Sequence, residues 1–321
     1  MASPAATLAD LGEFGLIDEV AAIVAATAPG EDVVVGPGDD AALLRVRKGH
    51  VVVSTDLLVE GRHFRRDWAE ATDVGHRAAA QNLADIAAMG GRPQWLTIGL
   101  AAPVDLPVSW ALDFVRGFAA EAASVGAGVV GGDVTSADKI TIAVTVIGEC
   151  SVAPVLRGGA REGDVVALAG RQGWAAGGLA VLGRGFRSPR VLVEAYRRPE
   201  PPYAEGPVAA AAGATSMIDI SDGLLADAAH VARASGVSLD IRTSAFEIPE
   251  PLVAVGQAIG ADPITYVLGG GEDHALLATF PDAGAVPAGW TVVGSVGPAT
   301  DGPAVTVDGA AYDGPTGWVH F

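Results

Sequence analysis

Aspartates are the residues in this sequence whose placing could do chemistry. Four groups of them close apolar runs in a short polar or glycine-rich element: Gly38-Asp39-Asp40, Ser54-Thr55-Asp56, Gly131-Gly132-Asp133 and Asp219-Ile220-Ser221-Asp222-Gly223. A fifth, Asp85, lies within Gln81-Asn82-Leu83-Ala84-Asp85-Ile86, with apolar neighbours on both sides that turn it inward on a predicted helix. Any one of these reads as a turn or cap residue. Five in one chain, with serine and threonine beside them, point to a site instead. Carboxylates brought within about 5 Å repel by roughly 3 kcal/mol per pair at an effective dielectric near 20, more than a marginally stable domain absorbs many times over. Hard divalent cations cancel that repulsion, and carboxylate, hydroxyl, water and phosphate oxygen make up the ligand set of Mg2+. The chemistry this implies is a magnesium-nucleotide or magnesium-phosphate reaction, where catalysis is mainly in-line positioning and cancellation of oxygen charge.

The competing motifs are absent. Neither Lys48 nor Lys139 follows the glycine that a phosphate-binding P-loop requires, and there is no His-Glu-x-x-His, Cys-x-x-Cys or Gly-x-Ser-x-Gly. Gly36-Pro37-Gly38-Asp39-Asp40-Ala41 fits the spacing of a dinucleotide fingerprint. Its proline removes a backbone amide and its two carboxylates occupy the approach a phosphate would need, so that reading is set aside.

The whole-chain numbers agree. There are 38 acidic against 20 basic residues, a net charge of −18, which excludes a sequence-independent grip on nucleic acid and makes an anionic membrane a poor partner. Aspartate outnumbers glutamate 24 to 14, and lysine occurs only twice, so the carboxylates are not the usual Glu/Lys solvation of helix surfaces. No apolar stretch is long enough to span a bilayer and Met1–Asp10 has no signal-peptide pattern. With a single cysteine, Cys150, at the end of an apolar run and read as a small buried residue, the expected compartment is the cytoplasm.

The elements that must hold the aspartates follow from periodicity. In the first half the pattern predicts a helix at Gly15–Thr27, a strand at His50–Leu58, a long helix from Ala71 to Met89 ended by Gly90-Gly91, and a strand at Trp95–Ala101. A helix from Pro107 to Val125, a short strand ending at Gly131-Gly132 and an alternating strand at Lys139–Cys150 complete it. Pro154, Gly158, Gly159 and Gly163 cluster in a boundary at Ser151–Gly163, giving domains 1–150 and 151–321; about 150 residues per domain suggests the same number for a 321-residue chain. The second half reads as a strand from Asp164, helices at Trp174–Leu182, Arg190–Arg197 and Gly206–Ala212, a strand at Ser216–Ile220, a helix at Gly223–Ser235 and a strand at Val237–Ile241. Three late strands follow, at His274–Phe280, Trp290–Val296 and Ala304–Val307. Helices and strands that end in a β-rich run make both halves α+β.

Seven motifs, in order along the chain, carry a family resemblance. They are Gly-x-Gly-Asp-Asp-Ala (36–41), Ser-Thr-Asp-x-Leu-Val-Glu-Gly-x-His-Phe (54–64), Asn-Leu-x-Asp-Ile-Ala-Ala-Met-Gly (82–90), Gly-Gly-Asp (131–133), Ile-Asp-Ile-Ser-Asp-Gly-Leu (218–224), Gly-Gly-Glu-Asp (270–273) and Gly-Trp-x-His-Phe (317–321). Together they resemble the thiamine-monophosphate kinases, of the aminoimidazole ribonucleotide synthetase superfamily. The resemblance implies a two-domain fold in which the N-terminal sheet pairs with that of a second subunit in a homodimer, followed by a C-terminal α+β domain. It implies ATP as co-substrate, several Mg2+ ions, thiamine monophosphate as acceptor and thiamine diphosphate as product. By residue, it implies metal positions at Asp40, Ser54, Thr55, Asp56, Asp85, Asp133, Asp219 and Asp222, with Asp39 beside Asp40. Asp56, Asp133 and Asp222 are then closest to the chemistry. Gly132, Arg157 and Ser221 match ATP contacts, and His63, Glu272 and Trp318 match contacts to thiamine phosphate, whose cationic ring suits an aromatic face and a carboxylate.

Read without the resemblance, His63 is also a structural histidine beside Phe64, Trp318 a plug of the core and Glu272 a turn or salt-bridge residue. Two hydroxyls common in the family are replaced here, by Ala84 and Val134. The alternative within the superfamily is another ATP-using synthetase; of these, a selenophosphate synthetase would need a cysteine near the N-terminus and the hydrogenase-maturation relative one near the C-terminus, and Cys150 is in neither place. A non-catalytic thiamine-phosphate binding module is the reading of another class; it would keep a pocket and have no need of the metal ligands.

Overall fold

The computed structural model describes residues 7–25, 32–35, 43–46, 49–300 and 304–318. They form two compact units, one of residues 1–86 and 92–151, the other of 87–91 and 152–321. The order in the first is α1 (Leu8–Ala25), β1 (Val33–Val35), β2 (Leu43–Leu44), β3 (His50–Val59), α2 (Ala71–Ala88), β4 (Arg92–Ala102), α3 (Val108–Ser124), β5 (Gly128–Ser136) and β6 (Thr141–Cys150). In the second it is β7 (Val165–Ala169), α4 (Trp174–Gly183), α5 (Arg190–Arg197), α6 (Glu205–Ala211), β8 (Ser216–Asp219), α7 (Leu224–Ser235) and β9 (Val237–Ile241), then α8 (Glu250–Ile259), α9 (Ile264–Gly269), β10 (Leu276–Phe280), β11 (Thr291–Pro298) and β12 (Val305–Val307). Among the described residues no helix is long and apolar enough to cross a membrane.

In the first unit a four-stranded sheet has the order β3-β6-β4-β5. Its β4–β5 pair is parallel, joined through α3, and the other pairs are antiparallel. Alternation along β6 buries Ile142, Val144, Val146 and Gly148 on one face, where a Cβ on Gly148 would strike Ile86 of α2. Helices α2 and α3 meet closely because Gly75 lies against the Phe114 carbonyl and Gly117 against that of Thr72, with no room for a Cβ at either. The opposite face leaves Val51, Val53 and Leu57 of β3 exposed by 49%, 66% and 55%.

The second unit holds a six-stranded sheet of order β12-β9-β11-β7-β10-β8, antiparallel except for β12 on β9. It is buried on both faces. Val166 and Leu168 of β7 join Ile218, Leu225 and Val231 in one core, and the intervening Ala167 and Ala169 join Met217, Phe280 and Trp290 in another. Small side chains on that second face suit α6, whose Gly206 lies on the Ala87 carbonyl with no space for a Cβ.

The α+β class predicted from the sequence is the class observed, with differences in detail, among them the short strands β1 and β2, which were not predicted. Helix α1 begins earlier than predicted, at Leu8, and passes through Gly12 at φ 75°, a conformation open to glycine. Strand β5 runs through Gly131-Gly132 instead of ending there, because Gly132 lies so close to the Ile98 carbonyl of β4 that a side chain has no room. Helices α8 and α9 were not predicted; each follows a proline, Pro249 and Pro263, in a stretch whose apolar spacing is short.

Candidate active site

In the first unit, residues two apart on β3 face residues four apart on α2. Two strand residues span about 6.6 Å and four helical residues about 6.0 Å, so two pairs match at once. Ser54 Oγ donates to Asp85 Oδ2 at 2.6 Å, and Gln81 Nε2 donates to Asp56 Oδ2 at 3.1 Å. Thr55 points to the other face, where its hydroxyl meets that of Thr145 at 2.9 Å. His63 is oriented by its own turn: the Val59 amide donates to Nδ1 at 3.0 Å, which puts the ring proton on Nε2.

Asp133 is not brought to Asp56. The register aligns Asp133 with Gly99, Ala143 and Leu57, the row on the exposed face, whereas Asp56 aligns with Val144, Ile98 and Gly132 on the helix-covered face. The two carboxylates are on opposite faces of opposite edge strands, and those strands are about 14 Å apart by three interstrand spacings. Spacing along the chain could not show this, because it depends on strand order. Asp39 and Asp40 lie outside the described residues.

In the second unit the structure gathers the remaining residues at the end of β8. Asp219 closes that strand, and Ile220-Ser221-Asp222-Gly223 turns into α7 through Gly223 at φ 148°, a value that L side chains rarely adopt. The 270–274 turn docks on this loop. Gly271 has no space for a Cβ beside the Ser221 carbonyl, the Glu272 amide donates to Ser221 O at 2.9 Å, and the His274 amide donates to Ile220 O at 3.2 Å. The C-terminal segment docks on its other side, with Ala226 N donating to Thr316 O and Trp318 N to Asp222 O, both at 3.0 Å. Asp219, Ser221, Asp222, Glu272 and Trp318 therefore share one locality. The Trp318 side chain is 55% exposed, so it is not a core plug, and Glu272 holds a left-handed turn at φ 71°.

Arg157 approaches this locality from another loop. Ser235 Oγ accepts from the amides of Gly159 and Ala160 at 3.1 Å each and donates to the Arg157 carbonyl at 3.3 Å, fixing the loop to the end of α7. His230, exposed on α7, is shifted down by partial burial and by Arg233 and Arg157, while Asp222 pulls the other way. Both Arg157 and Asp222 are thus within electrostatic reach of one imidazole.

Four contributors escaped the sequence reading. Gln81 hydrogen-bonds Asp56, and His274 Nδ1 stands 3.1 Å from Asp219 Oδ2. Asp227 accepts from the amides of Asp222 and Gly223 at 3.1 and 3.0 Å, and burial pushes its carboxyl up to about 7 against those hydrogen bonds, with Asp219 and Asp222 adding to the rise. Its signal was available, since an acid in the first turn after Gly223 is a helix-start signature. Asp273 is buried and accepts from Ala175 N at 2.9 Å, serving the start of α4 that Gly173 leaves without a side-chain cap. Burial raises it to about 7.

Among the described residues no three carboxylate, imidazole or thiolate groups converge to enclose a metal ion. What they offer is hard oxygen in ones and twos: Ser54 with Asp85, Asp56, and Asp219 near Asp222. That donor set fits Mg2+, which takes few protein ligands and completes its shell with water and phosphate.

The family described as AIR synthase related protein, N-terminal domain, matches residues 38–150. A thiamine-monophosphate kinase of Mycobacterium tuberculosis is 46% identical over 324 residues, covering 100% of this chain and 95% of that protein. The crystal structure of the thiamine-monophosphate kinase from Stenotrophomonas maltophilia K279a superposes with a TM-score of 0.79 at 32% identity, covering 92% of this chain and 96% of that one. A structure described as AaThiL complexed with AMPPCP and TMP gives 0.78 at 34% identity, covering 99% and 100%.

Proposed function

The chain belongs to the thiamine-monophosphate kinase family, and from that premise we propose how its residues carry the reaction. It phosphorylates thiamine monophosphate to thiamine diphosphate at the expense of ATP. The observation that carries this reading is a match along the whole chain to kinases of that name, in a sequence that keeps every motif aspartate.

The acceptor is a phosphate already ionised at neutral pH, so its oxygen attacks the γ-phosphorus without a strong general base. Magnesium ions, when bound, supply the charge cancellation that lets one phosphate approach another. Asp40, Ser54, Thr55, Asp56, Asp85, Asp133, Asp219 and Asp222 are the residues assigned to hold them, with Asp39 beside Asp40. The hydrogen bonds Ser54–Asp85 and Gln81–Asp56 support the assignment, because each orients a motif carboxylate through one of its oxygens. Gly132, Arg157 and Ser221 are assigned to ATP; the Ser235 clamp holds the backbone of the Arg157 loop, and a guanidinium there suits phosphate oxygens, which it meets in pairs. His63, Glu272 and Trp318 are assigned to thiamine phosphate, and the exposed indole near the Glu272 turn supports recognition of a cationic ring.

A homodimer joined through the exposed face of the four-stranded sheet is part of the same reading. Val51, Val53 and Leu57 supply the apolar stripe such an interface needs. It also gives Asp133 a role: this carboxylate lies on the joining face, away from Asp56 of its own chain, and serves the site of the second copy. The enzyme is cytoplasmic in this account, in keeping with its lone cysteine.

Purified protein given Mg2+, ATP and thiamine monophosphate should form ADP and thiamine diphosphate in equal amounts. Calorimetric binding of thiamine monophosphate with no product under the same conditions would make the protein a binding module instead.

A further inference from the structure

The geometry points to His274 as a positioning residue that orients the Asp219 carboxylate for metal binding. This rests on the reading of Asp219 as a metal ligand.

The two side chains are on neighbouring backbone. Asp219 ends β8, which pairs with β10 in a register that sets Asp219 opposite Leu276, two residues beyond His274. Both are buried, at 5% and 4% exposure, and His274 Nδ1 is 3.1 Å from Asp219 Oδ2. An ionised carboxylate has no proton to give, so Nδ1–H donates. One oxygen of Asp219 is then committed to the imidazole, and Oδ1 remains for a cation.

The imidazole is held in place at a cost. His274 has φ 52° and Glu272 has φ 71°, two non-glycine residues in the left-handed region within three positions. The turn keeps that conformation through the Glu272 amide on Ser221 O and the His274 amide on Ile220 O. On the far side of His274, Ala275 O accepts from Ile220 N at 2.8 Å. Three backbone hydrogen bonds therefore fix the 272–275 turn to the strand end that carries Asp219, and the fourth link is the His274 side chain. The same turn presents Glu272, so the arrangement couples the geometry of an assigned metal carboxylate to that of an assigned substrate residue. Groups that hydrogen-bond a metal-binding carboxylate typically set affinity or activity by 10- to 100-fold.

The test uses the full-length protein with His274→Asn, whose side-chain amide donates from the position of Nδ1, and His274→Gln, whose amide lies further out where Nε2 would be. Asp219→Asn is the reference. Three quantities are read: the Mg2+ concentration for half-maximal activity at fixed ATP, Mn2+ binding by paramagnetic resonance without nucleotide, and the metal-free thermal midpoint. The expected result is that His274→Gln raises the Mg2+ requirement and weakens Mn2+ binding about tenfold, with kcat at saturating Mg2+ near wild type, while His274→Asn stays close to wild type in all three. Wild-type metal dependence in His274→Gln, or equal impairment of both variants, overturns the proposal. Unchanged Mn2+ binding and Mg2+ dependence in Asp219→Asn would remove the ligand reading of Asp219, and the role of His274 with it. A lowered thermal midpoint with unaltered metal binding would reduce His274 to a structural residue.

Discussion

Single residues in this chain divide into those whose role shows in their local sequence and those whose role is made by a neighbour from elsewhere. Asp219 and Asp222 stand out in the sequence because both belong to a polar element closing an apolar strand, and the structure places them together at the end of β8. Gln81 and His274 do not stand out, since a strand–helix pairing and a sheet register bring them to their aspartates. Asp273 was quoted only as part of a motif, and its burial gives it a property no motif shows. Its folded-state value, about 7 against an ordinary 3.8, means that the folded protein binds a proton the unfolded chain releases between those limits. Stability from this group is therefore full below about pH 3.8 and lost progressively as pH rises through 7. Denaturant unfolding at pH 5 and pH 8 should show wild type losing on the order of a few kcal/mol more than Asp273→Asn over that interval. Equal losses in the two proteins would mean that Asp273 is ionised throughout.

At the scale of elements, periodicity located most strands and helices because their apolar residues alternate or recur in threes and fours. It failed where glycine or proline carried a meaning other than termination. Gly131-Gly132 reads as a strand end but is a close approach between β4 and β5, and α8 and α9, which the apolar pattern does not pick out, each start after a proline. The same argument singles out the 270–274 turn. Gly271→Ala puts a Cβ against the Ser221 carbonyl and must move the turn that carries Glu272. Thermal unfolding should show a loss of about 1–3 kcal/mol, and steady-state kinetics should show KM for thiamine monophosphate rising more than KM for ATP. Gly183→Ala is the control: nothing lies within 4 Å of its Cβ, it ends helix α4, and its stability should be unchanged or slightly higher. A Gly271→Ala protein as stable and as active as that control would show that the turn tolerates displacement.

For the whole molecule, the acidic excess of −18 has two parts: the aspartates assigned to metal, and an ordinary surface excess that favours solubility. The described residues form two compact units, and the glycine cluster near the middle of the chain lies where one gives way to the other along the sequence. The separation of Asp133 from Asp56 is not legible in the sequence, and in the proposed homodimer it makes the site depend on assembly. Val53→Asp with Leu57→Asp places charge on the exposed stripe and should convert a dimer to monomers by sedimentation, with activity lost. Mixing Asp56→Ala and Asp133→Ala proteins, each inactive alone, should restore roughly a quarter of wild-type activity by forming one intact site in each mixed dimer. No recovery after verified subunit exchange would place Asp133 in the service of its own chain. The central claim is direct transfer from ATP to thiamine monophosphate, with the chain positioning phosphates and supplying no nucleophile. The configuration at phosphorus tests it most directly, using ATP made chiral at the γ-phosphate with oxygen isotopes and analysing the thiamine diphosphate formed. A single in-line transfer predicts inversion; retention would contradict the account, because it requires a phosphorylated residue of the protein between donor and acceptor.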